Sequence, residues 1–276
     1  MQSNKKGILN YLVSAPYILW MIIFIIVPLA MVAYFAFTTS DGAFTLEYIS
    51  SVGQYANIFL RSLRLAAIAT VICLFLAYPL AYILTRMNKS IQSTMLMIVM
   101  LPMWMNFLLR TYAWMTLLGN NGIINSILGY IGLGPYKLLN TQGAVVLGMI
   151  YNYLPYMILP LYSVMVKIDK SVIEAASDLG CNNIKVLFKV ILPLSVPGIV
   201  SGITMVFVPA ISTFIISRML GGGSNLLIGD LIEMQFLGTS YNPNLGAAIS
   251  LVLMVIVLII MAVMNLFDSD DDKVLI

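Results

Sequence analysis

Six long apolar runs, almost free of charge, constrain what this chain can become. With edges set by the flanking charges, they fall at about residues 11–37, 63–84, 93–117, 143–166, 196–217 and 245–267. A helix needs about 20 residues to cross the roughly 30 Å hydrocarbon layer of a membrane, and each run comes near or passes that length. Within lipid the backbone must satisfy its own hydrogen bonds, so only helices and closed barrels span it. A barrel would alternate polar and apolar residues in segments of about ten, whereas Ile18 to Ile26 and Leu251 to Met264 are apolar on every side. The expected fold is an all-α membrane protein, a six-transmembrane-helix bundle. Of 276 residues, 61% are hydrophobic and 9% charged, which leaves too little polar surface to cover a water-soluble globule.

Several function classes drop out. The formal charge of +3 comes from 14 basic and 11 acidic residues that form no basic stripe, so no nucleic-acid partner is expected. There is no histidine, which removes imidazole catalysis and His-ligated metal sites. Cys73 and Cys181 belong to no C-x-x-C motif. The chain is therefore expected to hold no catalytic residue, no metal, no cofactor and no disulfide. The first apolar run follows Lys5 and Lys6 but is longer than a signal-peptide core and lacks a small-x-small cleavage site, so it is expected to remain as an anchor.

Basic residues orient the bundle. If residue 1 lies inside, the inner segments carry Lys5, Lys6, Arg86, Lys89, Lys167, Lys170, Lys185, Lys189 and Lys273, against Arg61, Arg64, Arg110, Lys137 and Arg218 outside. Both termini are then cytoplasmic, and the acidic tail of Asp268, Asp270, Asp271 and Asp272 does not count against this. No ionisable residue is expected in the middle of a span; Arg64 and Arg110 are assigned to outer edges, where long side chains snorkel. Without buried relays, a proton-coupled carrier is disfavoured. Prolines 28, 79, 102, 155, 160 and 209 lie inside spans and suit helices that bend around a path.

The segment 167–195 between the fourth and fifth spans is the most informative. Ser171 and Glu174 have capping-box spacing, so a short helix is expected to start at Ser171. Gly180 is placed to end it in a left-handed turn, and Asn182 or Asn183 to cap a second helix that runs to Pro193. Local physics by itself describes an amphipathic hairpin lying on the inner face of the membrane lipid.

Glu174, Ala175, Ala176, Gly180, Val190, Leu192 and Pro193 together resemble the EAA loop of permease subunits in ABC importers, with Val190 where isoleucine is usual. The resemblance runs from about residue 60 to 265 and implies the type I (MetI-like) importer permease fold. It implies that Glu174, Ala175, Ala176, Gly180, Leu192 and Pro193 couple the chain to ATPase subunits, present in two copies. A second permease subunit and an extracytoplasmic substrate-binding protein are further implied partners, in a bacterial inner membrane. Within that family, 106–110, 159–162, 174–180 and 221–229 are similar to segments of polyamine (spermidine/putrescine) permeases. Another small solute, or an ATP-independent channel or secondary carrier, is the competing reading.

Three domains are expected: residues 1–62 with the first span, a five-helix core at 63–267 carrying the loop, and an acidic tail at 268–276. Gly221 to Gly223 is followed by no Gly-Lys-Ser or Gly-Lys-Thr, so it is read as a turn and not a phosphate cradle. Residues 119–142 contain an apolar stretch too short to span, expected at the outer interface or against a binding protein. Trp104, Trp114, Tyr151, Tyr153 and Tyr156 cluster toward outer span ends; as interfacial residues they need no function, but a polyamine path would use such rings. Trp104, Tyr151 and Tyr156 are the path candidates. Asp230 and Glu233, three residues apart on an expected outer helix, would share a solvated face and attract a cation.

Overall fold

A computed structural model describes residues 15–223, 225–238 and 240–269. Lys5 and Lys6, the tail beyond residue 269 and Ser224 lie outside the described residues. The chain is helical, with only an isolated bridge between Thr38 and Phe44 among the described residues. We number the principal helices α1 (Ala15–Ala36), α2 (Ala56–Arg86), α3 (Lys89–Trp104), α4 (Phe107–Leu118), α5 (Ile123–Tyr130) and α6 (Gln142–Met165). There follow α7 (Lys170–Asp178), α8 (Asn183–Val186, continued by turns to Leu194), α9 (Val196–Ser212), α10 (Ile215–Gly221), α11 (Ile228–Leu237) and α12 (Pro243–Ser269).

Four helices are long and apolar enough to cross a membrane: Ala15–Ala36, Glu47–Arg86, Gln142–Met165 and Pro243–Leu266. Two bent pairs raise the number to six if each is one span. The expected spans 93–117 and 196–217 are not continuous helices. The first breaks after Trp104, and the helices on either side meet at 87°. Met105 is extended (ψ 147°), and the Asn106 side chain accepts from Leu108 N at 2.8 Å and Leu109 N at 3.4 Å, starting α4 afresh. The second run ends at Ser212, because Thr213 is extended (ψ 139°) and α10 begins at Ile215. Hydropathy sums side chains over a window, so it misses a break made by a polar cap inside an apolar run.

Two prolines leave the same trace. A π-helical turn at Ile22–Ile26 precedes Pro28, and another at Leu187–Ile191 precedes Pro193. Proline lacks the N–H that would bond four residues back and crowds that carbonyl, and a widened turn relieves both.

The chain forms two compact units. One comprises the described part of Met1–Ala56 with Ile232–Ile256. In it Asn244 Nδ2 donates to Phe35 O at 3.1 Å and Thr38 O at 2.6 Å, tying the start of α12 to the end of α1. The other unit comprises Asn57–Leu231 with the described part of Val257–Ile276. Its centre is α9 packed along α6, with Met149, Met157, Ile158, Leu161, Val206 and Ala210 buried. Gly198 and Gly202 allow the approach, since a Cβ at Gly202 would lie 2.6 Å from Met157 Sδ and one at Gly198 would lie 3.1 Å from Pro160 O.

Like Gly122, Gly229 is packed directly against backbone atoms that cannot give way. A Cβ there would run into Ser212 O and lie 2.6 Å from Thr213 O, both backbone atoms. Gly229→Ala should therefore destabilise the protein by about 1–3 kcal/mol. Gly129→Ala, in a helix with nothing within 4 Å of the new methyl, should be neutral or stabilising. Thermal unfolding of the two variants in one detergent checks this; equal midpoints would refute the packing argument.

Candidate functional site: the helix–glycine–helix loop

The loop begins with Asp169, whose Oδ1 accepts the Ser171 N–H at 3.0 Å. This corrects the expected capping box: α7 starts at Lys170, and Glu174 lies exposed in mid-helix and does not cap it. An ionised carboxylate is a strong acceptor for orphan N–H groups and is favoured by the helix dipole, so Asp169 takes the cap position two residues earlier. The bonds from the Ser171 backbone and then its side chain hold the Asp169 carboxyl below its ordinary pKa. Gly180 has φ +82° and ends the helix. Its N–H reaches Ser177 O at 2.9 Å and Cys181 N reaches Ala176 O at 3.1 Å, the paired bonds of a left-handed helix end. Asn182 Oδ1 then accepts Lys185 N at 2.8 Å and starts α8.

No residue of α7 is buried. Val172, Leu179, Ile184 and Phe188 expose apolar side chains around the glycine turn, with Leu179 at 86%. Beneath them Val186 and Ile191 are buried and anchor α8. Glu174, Ala175, Gly180 and Pro193 are exposed, and Ala176 and Leu192 partly so. Side-chain bonds tie this end together: Ser195 Oγ donates to Leu192 O at 2.9 Å and lies 3.2 Å from the Tyr78 hydroxyl of α2. Gln92 donates to Thr85 O and Met87 O, while its Oε1 accepts from the Tyr162 hydroxyl at 3.0 Å. Sequence reasoning missed Tyr78, Ser195, Gln92 and Tyr162, because polar residues at span ends look alike until partners from distant segments are placed.

Trp104 is 79% exposed at the break after α3. Tyr151 packs edge-on against Trp114 at 5.4 Å, and Tyr156 is tilted against Tyr153 at 6.5 Å. Asp230 is 1% exposed, and its Oδ2 accepts the Leu227 N–H at 2.9 Å. The expected solvated pair is corrected on this point: Asp230 serves the start of α11, while Glu233 is part-exposed. Gly222 (φ +63°) and Gly223 (φ +73°) form a tight turn, as expected for that glycine run. In the 119–142 connection, Asn125 is buried and bonds Gly119 O, Tyr136 O and Tyr136 N, pinning α5.

Arg110 departs furthest from expectation. It is 8% exposed and does not snorkel; its Nε and Nη1 reach no hydrogen-bond acceptor among the described residues. The guanidinium lies 5.8 Å from the Phe107 ring centre on α4, a helix packed against α6 and α10. The bend after Trp104 turns α4 inward, so a position that a straight span would put at an edge becomes interior.

The described residues thus form apolar helices long enough to span a membrane and an exposed helix–glycine–helix surface between two of them. The chain belongs to the family of binding-protein-dependent transport system inner membrane components, whose family model matches residues 74–270. It is thus a multi-pass inner-membrane transport component and not itself an enzyme. It is 38% identical over 254 residues to the spermidine/putrescine transport system permease protein PotB of Haemophilus influenzae, covering 88% of each chain. Against PotB of Escherichia coli K12 it is 35% identical over 247 residues, covering 86% of this chain and 90% of that one. The inner membrane ABC transporter permease protein YdcU of Escherichia coli K12 is 30% identical over 234 residues, 79% of this chain and 74% of the relative. Among solved structures, a chain of a bacterial ABC transporter involved in import of the acidic polysaccharide alginate superposes with TM-score 0.81 at 18% identity, covering 95% of each. That likeness concerns the fold.

Proposed function

We propose that this chain is the permease subunit of an ATP-driven polyamine importer, carrying spermidine or putrescine. Similarity to PotB over nearly the whole chain supports this reading. The chain forms half of the pathway, and a second permease, two ATPase subunits and an extracytoplasmic binding protein complete the machine. The exposed surface of α7, with Glu174, Ala175 and Ala176, docks on an ATPase subunit, and Gly180, Leu192 and Pro193 set the angle through which movement passes to α9. Both termini lie on the cytoplasmic side. A reconstituted complex tests the substrate: spermidine or putrescine should stimulate ATP hydrolysis severalfold over a panel of amino acids and sugars. Stimulation only by a neutral or anionic solute would overturn the polyamine reading.

Desolvated ammonium groups need carboxylates or aromatic faces, and Trp104, Tyr151, Tyr156 and Glu233 are the side chains we assign to that task. Asp230 contributes by holding α11 in place. Glu233→Gln should lower uptake of a cationic substrate, more at low than at high ionic strength, because attraction near a surface is screened. Equal uptake across a salt series would remove Glu233 from the path.

A further inference from the structure

Two features of the larger compact unit lie on one face of α2 and share a ligand chemistry. At the end away from the helix–glycine–helix loop, Asn57, Leu60, Arg61 and Arg64 of α2 and Gln142 of α6 line a cavity of about 340 Å³. Arg64 Nη2 donates to Gln142 Oε1 at 2.8 Å; a neutral amide orients the guanidinium without cancelling its charge. No acidic side chain lines this cavity. Further along the helix, Ala67, Val71 and Leu74 form a groove of about 220 Å³ with Ile203, Phe207 and Met264. The groove's one hydroxyl from α2, Thr70, is satisfied within the helix by Ala66 O at 2.7 Å.

Leu60, Arg64, Ala67, Val71 and Leu74 follow at steps of three and four, so cavity and groove are joined along one helix face. From Arg64 to Leu74 the helix rises about 15 Å. Leu60, Ile68, Val71 and Phe75 are exposed apolar side chains that present this side of α2 to the hydrocarbon. A basic, polar cavity at the end of a span with an apolar trough running inward from it matches a molecule with an anionic head and a long apolar tail.

We propose that this face binds one anionic glycerophospholipid of the leaflet opposite the loop, its phosphate held by Arg64, Asn57 and Gln142 and one acyl chain lying in the groove. A free phosphate would use only the cavity, and an acidic protein would not enter the groove. The site requires that the chain span a membrane, and it is independent of the transported solute.

The test is made on the intact transporter, purified in mild detergent, delipidated and then exposed to equal amounts of phosphatidylglycerol and phosphatidylcholine. Retained lipid is counted by native mass spectrometry. Wild type should keep phosphatidylglycerol over phosphatidylcholine at least about fivefold, the attraction of a single arginine to an anionic surface. Arg64→Gln should lose about that factor, Arg64→Lys should retain most of it, and Ala67→Trp, which fills the groove, should lower retention of both lipids. No preference in the wild type overturns the proposal whether or not the variants fold. Retention unchanged in Arg64→Gln, with salt-dependent docking of the binding protein lost instead, also overturns it and assigns the arginine to that partner.

Discussion

Gly180→Leu should cut substrate uptake by at least about tenfold while the chain still inserts and expresses. At φ +82° a leucine costs about 1–2 kcal/mol in backbone conformation, which by itself shifts the correct loop geometry by roughly a factor of ten. Nothing lies within 4 Å of a Cβ at this position, so the effect comes from backbone conformation and not from collision. That separates the series: Gly180→Asn, a residue that tolerates left-handed geometry, should keep most activity, and Gly180→Val should be worst. Uptake and ATP hydrolysis measured together check the coupling role. Hydrolysis that no longer responds to substrate would mark lost docking, while equal uptake by the leucine and asparagine variants would show that the turn does not set the docking angle.

Arg110→Met should move stability and transport in opposite directions. A buried guanidinium whose Nε and Nη1 reach no acceptor carries a desolvation cost of several kcal/mol. Replacing it by an apolar side chain of similar length should raise the unfolding midpoint of the assembled transporter by a few degrees. The same change should slow uptake at least about tenfold, because a charge tolerated unpaired in one conformation gains its acceptors in another, and alternating access needs both. A lowered midpoint with normal uptake would show instead that Arg110 is a satisfied structural residue.

Much of the loop was legible because its determinants are local. Gly180 ends a helix by its own backbone freedom, and Asn182 caps the next through a bond three residues away. The start of α7 was misplaced by one residue for a reason equally local: the Asp169 carboxylate accepts the Ser171 N–H and starts the helix ahead of Ser171. The long-range ties were not legible. Tyr78 with Ser195, Tyr162 with Gln92 and Ser62 with the N–H of Ile228 join residues 70 or more positions apart, and no spacing rule reaches that far.

The apolar runs by themselves determined a helical membrane protein, since transfer into lipid depends on side chains summed along one segment, and α1, α2, α6 and α12 follow from that sum. Local signals in the sequence determined equally that a helix, a glycine turn and a second helix connect the fourth and fifth runs. Tertiary structure decided the rest. It bent the third run by 87° and stopped the fifth at Ser212, turning Arg110 inward and covering Asp230. Burial is a property of neighbours and not of sequence: a charged residue at the edge of an apolar run becomes a buried ion only when a break in one helix lets two others close over it.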